Sequence, residues 1–175
     1  ARRKPVQLLA FYGVRPGMTV FDLSAGAGYN TELLARAVGA SGKVYAQNPA
    51  PAARLDERMK MPSMRNVVSV VRQFSDPVPP EVRNLDLVTF NFNYHDTVHM
   101  GIDRARMNRA VFDALKPGGV YIVADHSGRP GTGVSETKTL HRIEEAALRR
   151  EVESAGFRFV AEGGFLRNPQ DPRDA

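Results

Sequence analysis

Val20-Phe21-Asp22-Leu23-Ser24-Ala25-Gly26-Ala27-Gly28-Tyr29-Asn30 decides how this chain reads. An apolar run closes at Leu23 and an amphipathic pattern opens at Thr31, so both glycines fall in a strand-to-helix turn. A missing Cβ there lets a ligand come close to the backbone, and the helix start behind it offers unpaired N–H groups. A dinucleotide fingerprint, G-x-G-x-x-G, would place its third glycine at Thr31, and it fails. Asp22, four residues before Gly26 at the strand's end, suits a ligand carrying an ammonium group, which it can meet directly or through water.

Outward from this turn, short apolar runs alternate with longer amphipathic ones, the pattern of βαβ units. Strands are expected over Met18–Leu23, Lys43–Gln47, Asn66–Val71, Leu85–Phe92, Gly119–Asp125 and Phe157–Ala161. Most are nearly continuous in apolar residues, as parallel strands covered on both faces are. Helices are expected over Pro5–Tyr12, Thr31–Val38, Ala52–Met61, Asp103–Leu115 and Glu136–Ala155. Within Asp103–Leu115, Met107, Ala110, Val111, Ala114 and Leu115 form one stripe at helical spacing. Gly39, Pro117-Gly118-Gly119 and Gly156 stand where helices should stop. The fold class is therefore α/β: a doubly wound, mostly parallel sheet with a crevice at the carboxyl ends of its strands. His126–Ser135, with Gly128, Gly131 and Gly133, reads as a lid or an exposed connection.

Composition bounds the rest. One domain is expected for 175 residues: a leading helix within 1–17, an α/β core over 18–165 and a polar tail over 166–175. Hydrophobic residues make up 42% and charged residues 25%, an ordinary globular balance that argues against disorder. The absence of cysteine removes disulfide scaffolds, thiolate metal sites and cysteine nucleophiles. No apolar run reaches the ~18 residues of a membrane span, and no membrane partner is expected. Arg supplies 19 of the 24 basic residues behind the net charge of +5. They are scattered, with small clusters at Arg2-Arg3-Lys4, Arg104/Arg106/Arg109 and Arg149-Arg150, so nucleic acid ranks below a small molecule as partner. The first residue is Ala1. The expected location is the cytoplasm, with export of a processed chain as the alternative, and the oligomeric state is left open.

Asp22 followed by Gly26 and Gly28, together with Val14-Arg15-Pro16-Gly17-Met18-Thr19-Val20 and Leu115-Lys116-Pro117-Gly118-Gly119, resembles the class I S-adenosylmethionine-dependent methyltransferases. More narrowly, Gly28-Tyr29-Asn30-Thr31-Glu32-Leu33-Leu34, Tyr45-Ala46-Gln47-Asn48 and Asn93-Tyr94-His95-Asp96 look like a bacterial group known only as predicted methyltransferases. The resemblance spans about residues 5 to 165. It implies a Rossmann-like sheet, S-adenosyl-L-methionine as cofactor and S-adenosyl-L-homocysteine as product. It also implies cofactor contacts from Asp22, Ser24, Ala25, Gly26, Gly28 and Tyr29, from Gln47 and Asn48, from Phe74, and from Asn91 and Asn93. Three departures stand out. Ser24 occupies the family's first glycine, and the ribose-gripping acid is replaced by Gln47-Asn48, a weaker uncharged grip. The family's last antiparallel strand has no counterpart in the proline-broken tail, for which Phe165–Arg167 offers at most a stub.

Methyl transfer is an in-line displacement, so the protein positions the nucleophile and removes its proton where needed. The acceptor is expected at the end of the fourth strand, where Asn91-Phe92-Asn93-Tyr94-His95-Asp96 follows an apolar run. His95 is the candidate general base, Asp96 its orienting partner and Tyr94 a pocket wall. Asn91 and Tyr94 also match two of four positions of the Asn/Asp-Pro-Pro-Tyr signature of amine methyltransferases acting on nucleic acids or glutamine. His95-Asp96-x-x-His99 with Asp125-His126 offers metal-ligating types without a fixed spacing, and no metal is expected. His141 and His126 read as surface or structural positions. The resulting expectation is a methyltransferase of a small molecule. The alternatives are a nucleic-acid or protein amine methyltransferase and a nucleotide-binding protein without catalysis.

Overall fold

The computed structural model describes residues 3–174; Arg2 of the first basic cluster lies outside the described residues. Five parallel strands form one sheet: β1 (Thr19–Leu23), β2 (Lys43–Asn48), β3 (Val67–Val71), β4 (Leu85–Asn91) and β5 (Leu115–Ala124), in the order β3-β2-β1-β4-β5. Among the described residues six α-helices accompany them: α1 (Pro5–Tyr12), α2 (Tyr29–Val38), α3 (Ala53–Met59), α4 (Tyr94–His99), α5 (Arg104–Ala114) and α6 (Glu145–Ser154). The winding reverses between β1 and β4, and a ligand crevice belongs at that switch, at the strands' carboxyl ends.

Side chains along β1 alternate between two cores, as pleating requires. Val20 joins Leu8, Tyr12, Leu34, Val38, Val44 and Leu55 on one face. Phe21 and Leu23 join Val88, Phe90, Met107 and Val111 on the other. Asp103 caps α5 by accepting the Arg106 backbone N–H (2.9 Å).

Three expectations need correction. Phe157–Ala161 is not a strand: Phe157 spends its ring on Phe112 (5.1 Å) and Tyr121 (5.3 Å), while Val160 is 82% exposed. Among the described residues the sheet therefore ends at β5 and has no antiparallel member. Residues Gly164–Leu166 form a 3₁₀ turn rather than a stub strand, with Phe165 packed on Phe11 (5.7 Å). The late helix starts at Glu145 and not at Glu136, because residues 126–144 form a tied loop instead of a free lid. The Gly128 N–H donates to the Ile143 carbonyl (2.8 Å), Ile143 N–H to the His126 carbonyl (3.0 Å), and Gly133 N–H to Glu144 Oε2 (2.8 Å). A helical stripe in the sequence thus loses to tertiary hydrogen bonding. Among the described residues no helix is long and apolar enough to cross a membrane.

The charges of the basic clusters are largely spent within the fold. Arg104 pairs with Glu151, Arg109 with Asp113, and Arg149 with Glu145 while lying over Phe159.

Candidate functional site

The glycine turn lies at the carboxyl end of β1. Gly26 has φ +57° and is exposed, and a Cβ built on it would meet nothing within 4 Å. Space is open there. Gly28 differs: at φ +82° its Cβ would lie 2.7 Å from Leu55 Cδ1 and 3.1 Å from Arg58 Cδ. That glycine lets α3 close over the turn, where Arg58 Nε donates to the Ala27 carbonyl (2.9 Å). The missing Cβ at this position serves packing. Gly28→Ala is expected to cost about 2–4 kcal/mol in urea unfolding, from left-handed strain and overpacking together. Ser24 has φ +60°, the left-handed region where a glycine is at ease. This explains why the resembling family has glycine at that place.

Asp22 is 1% exposed and is the hub beneath the turn. Thr31 Oγ1 donates to its Oδ2 (2.6 Å), and Asn30 Nδ2 (2.8 Å) and Thr89 Oγ1 (2.9 Å) donate to its Oδ1. Burial pushes the carboxyl above its ordinary range, and the bonds from Thr31, Asn30 and Thr89 recover only part of that cost. Asp22 therefore sits behind Asn30, and the indirect route to an ammonium is the one the geometry favours. Tyr12 closes the network from α1, donating to Asn91 Oδ1 (3.0 Å). Asn91 Nδ2 is buried there without a partner.

The two amides of the second motif act on the protein itself. Asn48 accepts from the Gly26 N–H (2.8 Å) and donates to the Gly26 carbonyl (3.1 Å). Gln47, fully buried, accepts from the Ser24 N–H (3.0 Å) and donates to the Arg72 carbonyl (2.6 Å). Ala25 N–H donates to the Gln47 carbonyl (2.8 Å). Both side chains hold the glycine turn in shape. Phe74 is corrected as well: it is 2% exposed and stacked on Phe90 (6.0 Å), an ordinary core ring. Tyr29 is half-buried beneath Arg3, whose guanidinium lies 4.7 Å from the ring centroid.

At the end of β4 the chain turns sharply, with Phe92 at φ +56° and its N–H donating to the Ala124 carbonyl (2.7 Å). A bulky residue in that region marks strain, of the sort found at functional sites. Asn93 then bridges the two halves of the crevice. Its Oδ1 accepts from Ser24 Oγ (3.0 Å) and its Nδ2 donates to Asp96 Oδ2 (2.6 Å). Tyr94 does not wall a pocket. It is fully buried, donating to Glu151 Oε2 (2.9 Å) and accepting from Asn108 Nδ2 (2.9 Å). Helical turning in α4 sends residue 94 into the core and places residues 95, 96 and 99 about 100–200° further round the helix, toward the histidine cluster. The pairing of Asn91 with Tyr94 therefore loses its geometric basis.

His95 is 2% exposed and held from both sides. Asp125 takes its backbone N–H (2.7 Å) through Oδ2 and its Nδ1 (2.7 Å) through Oδ1; Asp96 Oδ1 lies 3.2 Å from Nε2. Burial alone would lower the imidazole's pKa, but the bond and charge of Asp125, with the charge of Asp96, more than offset it, and the net shift is upward. The orienting carboxylate is Asp125 rather than Asp96. The loop 126–144 brings His141 Nδ1 to 3.0 Å from Asp96 Oδ1, and His99 Nε2 lies 3.9 Å from the same oxygen. The His126 ring lies tilted against Phe92 (5.4 Å) and edge-on to His95 (5.7 Å). All four histidines of the chain thus gather at one end of the sheet.

Sequence reasoning missed Tyr12, Thr89 and Asn30 as partners in the Asp22 network, Asp125 as the anchor of His95, and His141 as a member of the site. Asp125 carried a signal, an acid ending an apolar strand. His141 carried none, standing 45 positions from Asp96.

No family model matches the chain. It is 27% identical over 169 residues to the ubiquinone/menaquinone biosynthesis C-methyltransferase UbiE of Salmonella arizonae, covering 91% of this chain and 64% of that protein. The chain thus spans a little under two thirds of the length of the curated relatives it matches. Among solved structures it resembles a SAM-dependent methyltransferase from Aquifex aeolicus (TM-score 0.74, 22% identity, 89% of this chain and 80% of that one). It also resembles the [4+2]-cyclase SpnF (TM-score 0.71, 16% identity, 89% and 56%). The fold is that of the class I methyltransferases. A cyclase on the same frame means that chemistry must be argued from the site.

Proposed function

We propose that this chain transfers a methyl group from S-adenosylmethionine to a small-molecule acceptor. The observation that carries the reading is the hydrogen-bonded link Ser24–Asn93–Asp96, which ties the open glycine turn to the histidine cluster across the sheet's switch point. The residues present fit the cofactor: the space beside Gly26 admits a ligand against the backbone, and Asn91 Nδ2 at the end of β4 is an unspent buried donor. Gly26, Ser24 and Asn30 would hold the cofactor, with Asp22 acting through Asn30, and Asn91 would meet its polar end. When bound, the cofactor supplies a methyl group activated on a sulfonium. The acceptor enters over the carboxyl ends of β4 and β5, where Asp96 and His95 orient it and Asp125 fixes the imidazole. The similarity to UbiE supports a small acceptor, as does the pairing of the arginines within the fold.

Calorimetric titration of the folded chain with S-adenosylmethionine and S-adenosylhomocysteine tests this. A saturable heat with both is the expected result; no heat with either rejects methyl transfer.

A further inference from the structure

Asp96 Oδ1 is the common neighbour of three imidazoles. His95 Nε2 stands at 3.2 Å, His141 Nδ1 at 3.0 Å and His99 Nε2 at 3.9 Å. The ligand atoms of His95, Asp96 and His141 all lie within 4.8 Å of one another. Ligand atoms about 2.0–2.2 Å from a tetrahedral zinc-type ion lie roughly 3.3–3.5 Å apart, so modest side-chain rotation closes this set around a cation.

Two further features suit a metal better than a set of ion pairs. Asp125 binds Nδ1 of His95, which leaves Nε2 facing the cluster; a carboxylate behind an imidazole is the usual support of a metal-bound histidine. His141 is held at φ +52°, a backbone conformation uncommon outside glycine, by a loop whose Ser127–Ile143 bridge closes just beside it. Strain of this kind persists only where the surroundings impose it, and here it delivers one ring nitrogen to Asp96.

We propose that His95 Nε2, Asp96 and His141 Nδ1 bind a divalent transition-metal ion, with His99 or water completing the shell. Two imidazoles and one carboxylate suit zinc, cobalt or nickel; magnesium and calcium want oxygen ligands. The site goes beyond the methyl-transfer reading and stands independently of it. Its expected place is beside the acceptor entrance, where a cation could hold an oxygen-bearing acceptor.

The test titrates the chelator-treated full chain with Zn²⁺ alone, and with Mg²⁺ in parallel. One equivalent of Zn²⁺ and no Mg²⁺ is expected, with a visible absorption band on Co²⁺ loading. The His141 side chain is 61% exposed, so His141→Ala should fold normally and bind Zn²⁺ at least about 10-fold more weakly. Asp125→Asn should lose about 10–100-fold through its effect on His95. No saturable Zn²⁺ binding, or equal affinity in the native chain and His141→Ala, overturns the site. S-adenosylhomocysteine binding measured on the same samples keeps that failure distinct from failure of the methyl-transfer reading.

Discussion

Gly26→Val is expected to bind S-adenosylhomocysteine at least about 100-fold more weakly than the native chain while remaining folded, a loss of roughly 2.7 kcal/mol. A Cβ at residue 26 points into open space, so two added methyl groups enter the region the cofactor needs without displacing any neighbour. The backbone at φ +57° is strained by a β-branched residue, which costs about 1–2 kcal/mol of stability. A domain with about 5–15 kcal/mol in hand survives that. Gly39→Val is the control: φ is +68°, a Cβ there also meets nothing within 4 Å, and the residue ends α2 at the opposite end of the sheet. With ψ at −172° it sits in a region essentially confined to glycine, so it should lose at least as much stability, and no affinity. Calorimetry paired with thermal unfolding separates the two effects, and equal affinity in Gly26→Val and Gly39→Val would show that the cofactor does not lie against Gly26.

Asp96→Ala is expected to lower methyl turnover by about 10²–10³-fold and to leave S-adenosylhomocysteine affinity nearly unchanged. Its carboxylate links the cofactor half, through Asn93, with His95 and His141. Removing it frees both imidazoles and unties the end of β4. The side chain is 22% exposed, so the fold should survive. Release of S-adenosylhomocysteine with any acceptor that the native chain methylates gives the readout. Unchanged turnover would remove Asp96, and the histidines around it, from the acceptor's path.

Both predictions rest on residues visible in the sequence, but to different degrees. The glycine turn was legible because its causes are local. An apolar run, an acid and two small residues specify a strand, a tight turn and a helix start within a dozen positions. The roles of individual residues there were not: Gly28, Gln47, Asn48 and Phe74 all read as cofactor contacts, and all four support the turn or the core. Each role depends on what packs opposite, which α3, β3 and β4 decide. Tyr94 and His95 are adjacent in sequence yet meet different partners, Glu151 and Asp125, because a short helix turning about 100° per residue forms where a loop was expected. His141 fell in an apparent helical stripe, and loop hydrogen bonds to Ile143 and Glu144 claimed that segment instead.

The amino-acid sequence by itself determined the α/β class, the strands up to β5 and the position of the glycine turn, because apolar periodicity and turn chemistry act over neighbouring residues. Only the tertiary structure decided that Asp125 anchors His95, that Asn93 joins two distant loops, and that four histidines converge. Those contacts come from parallel strands whose partners lie far apart in the chain, and no local signal carries such separations.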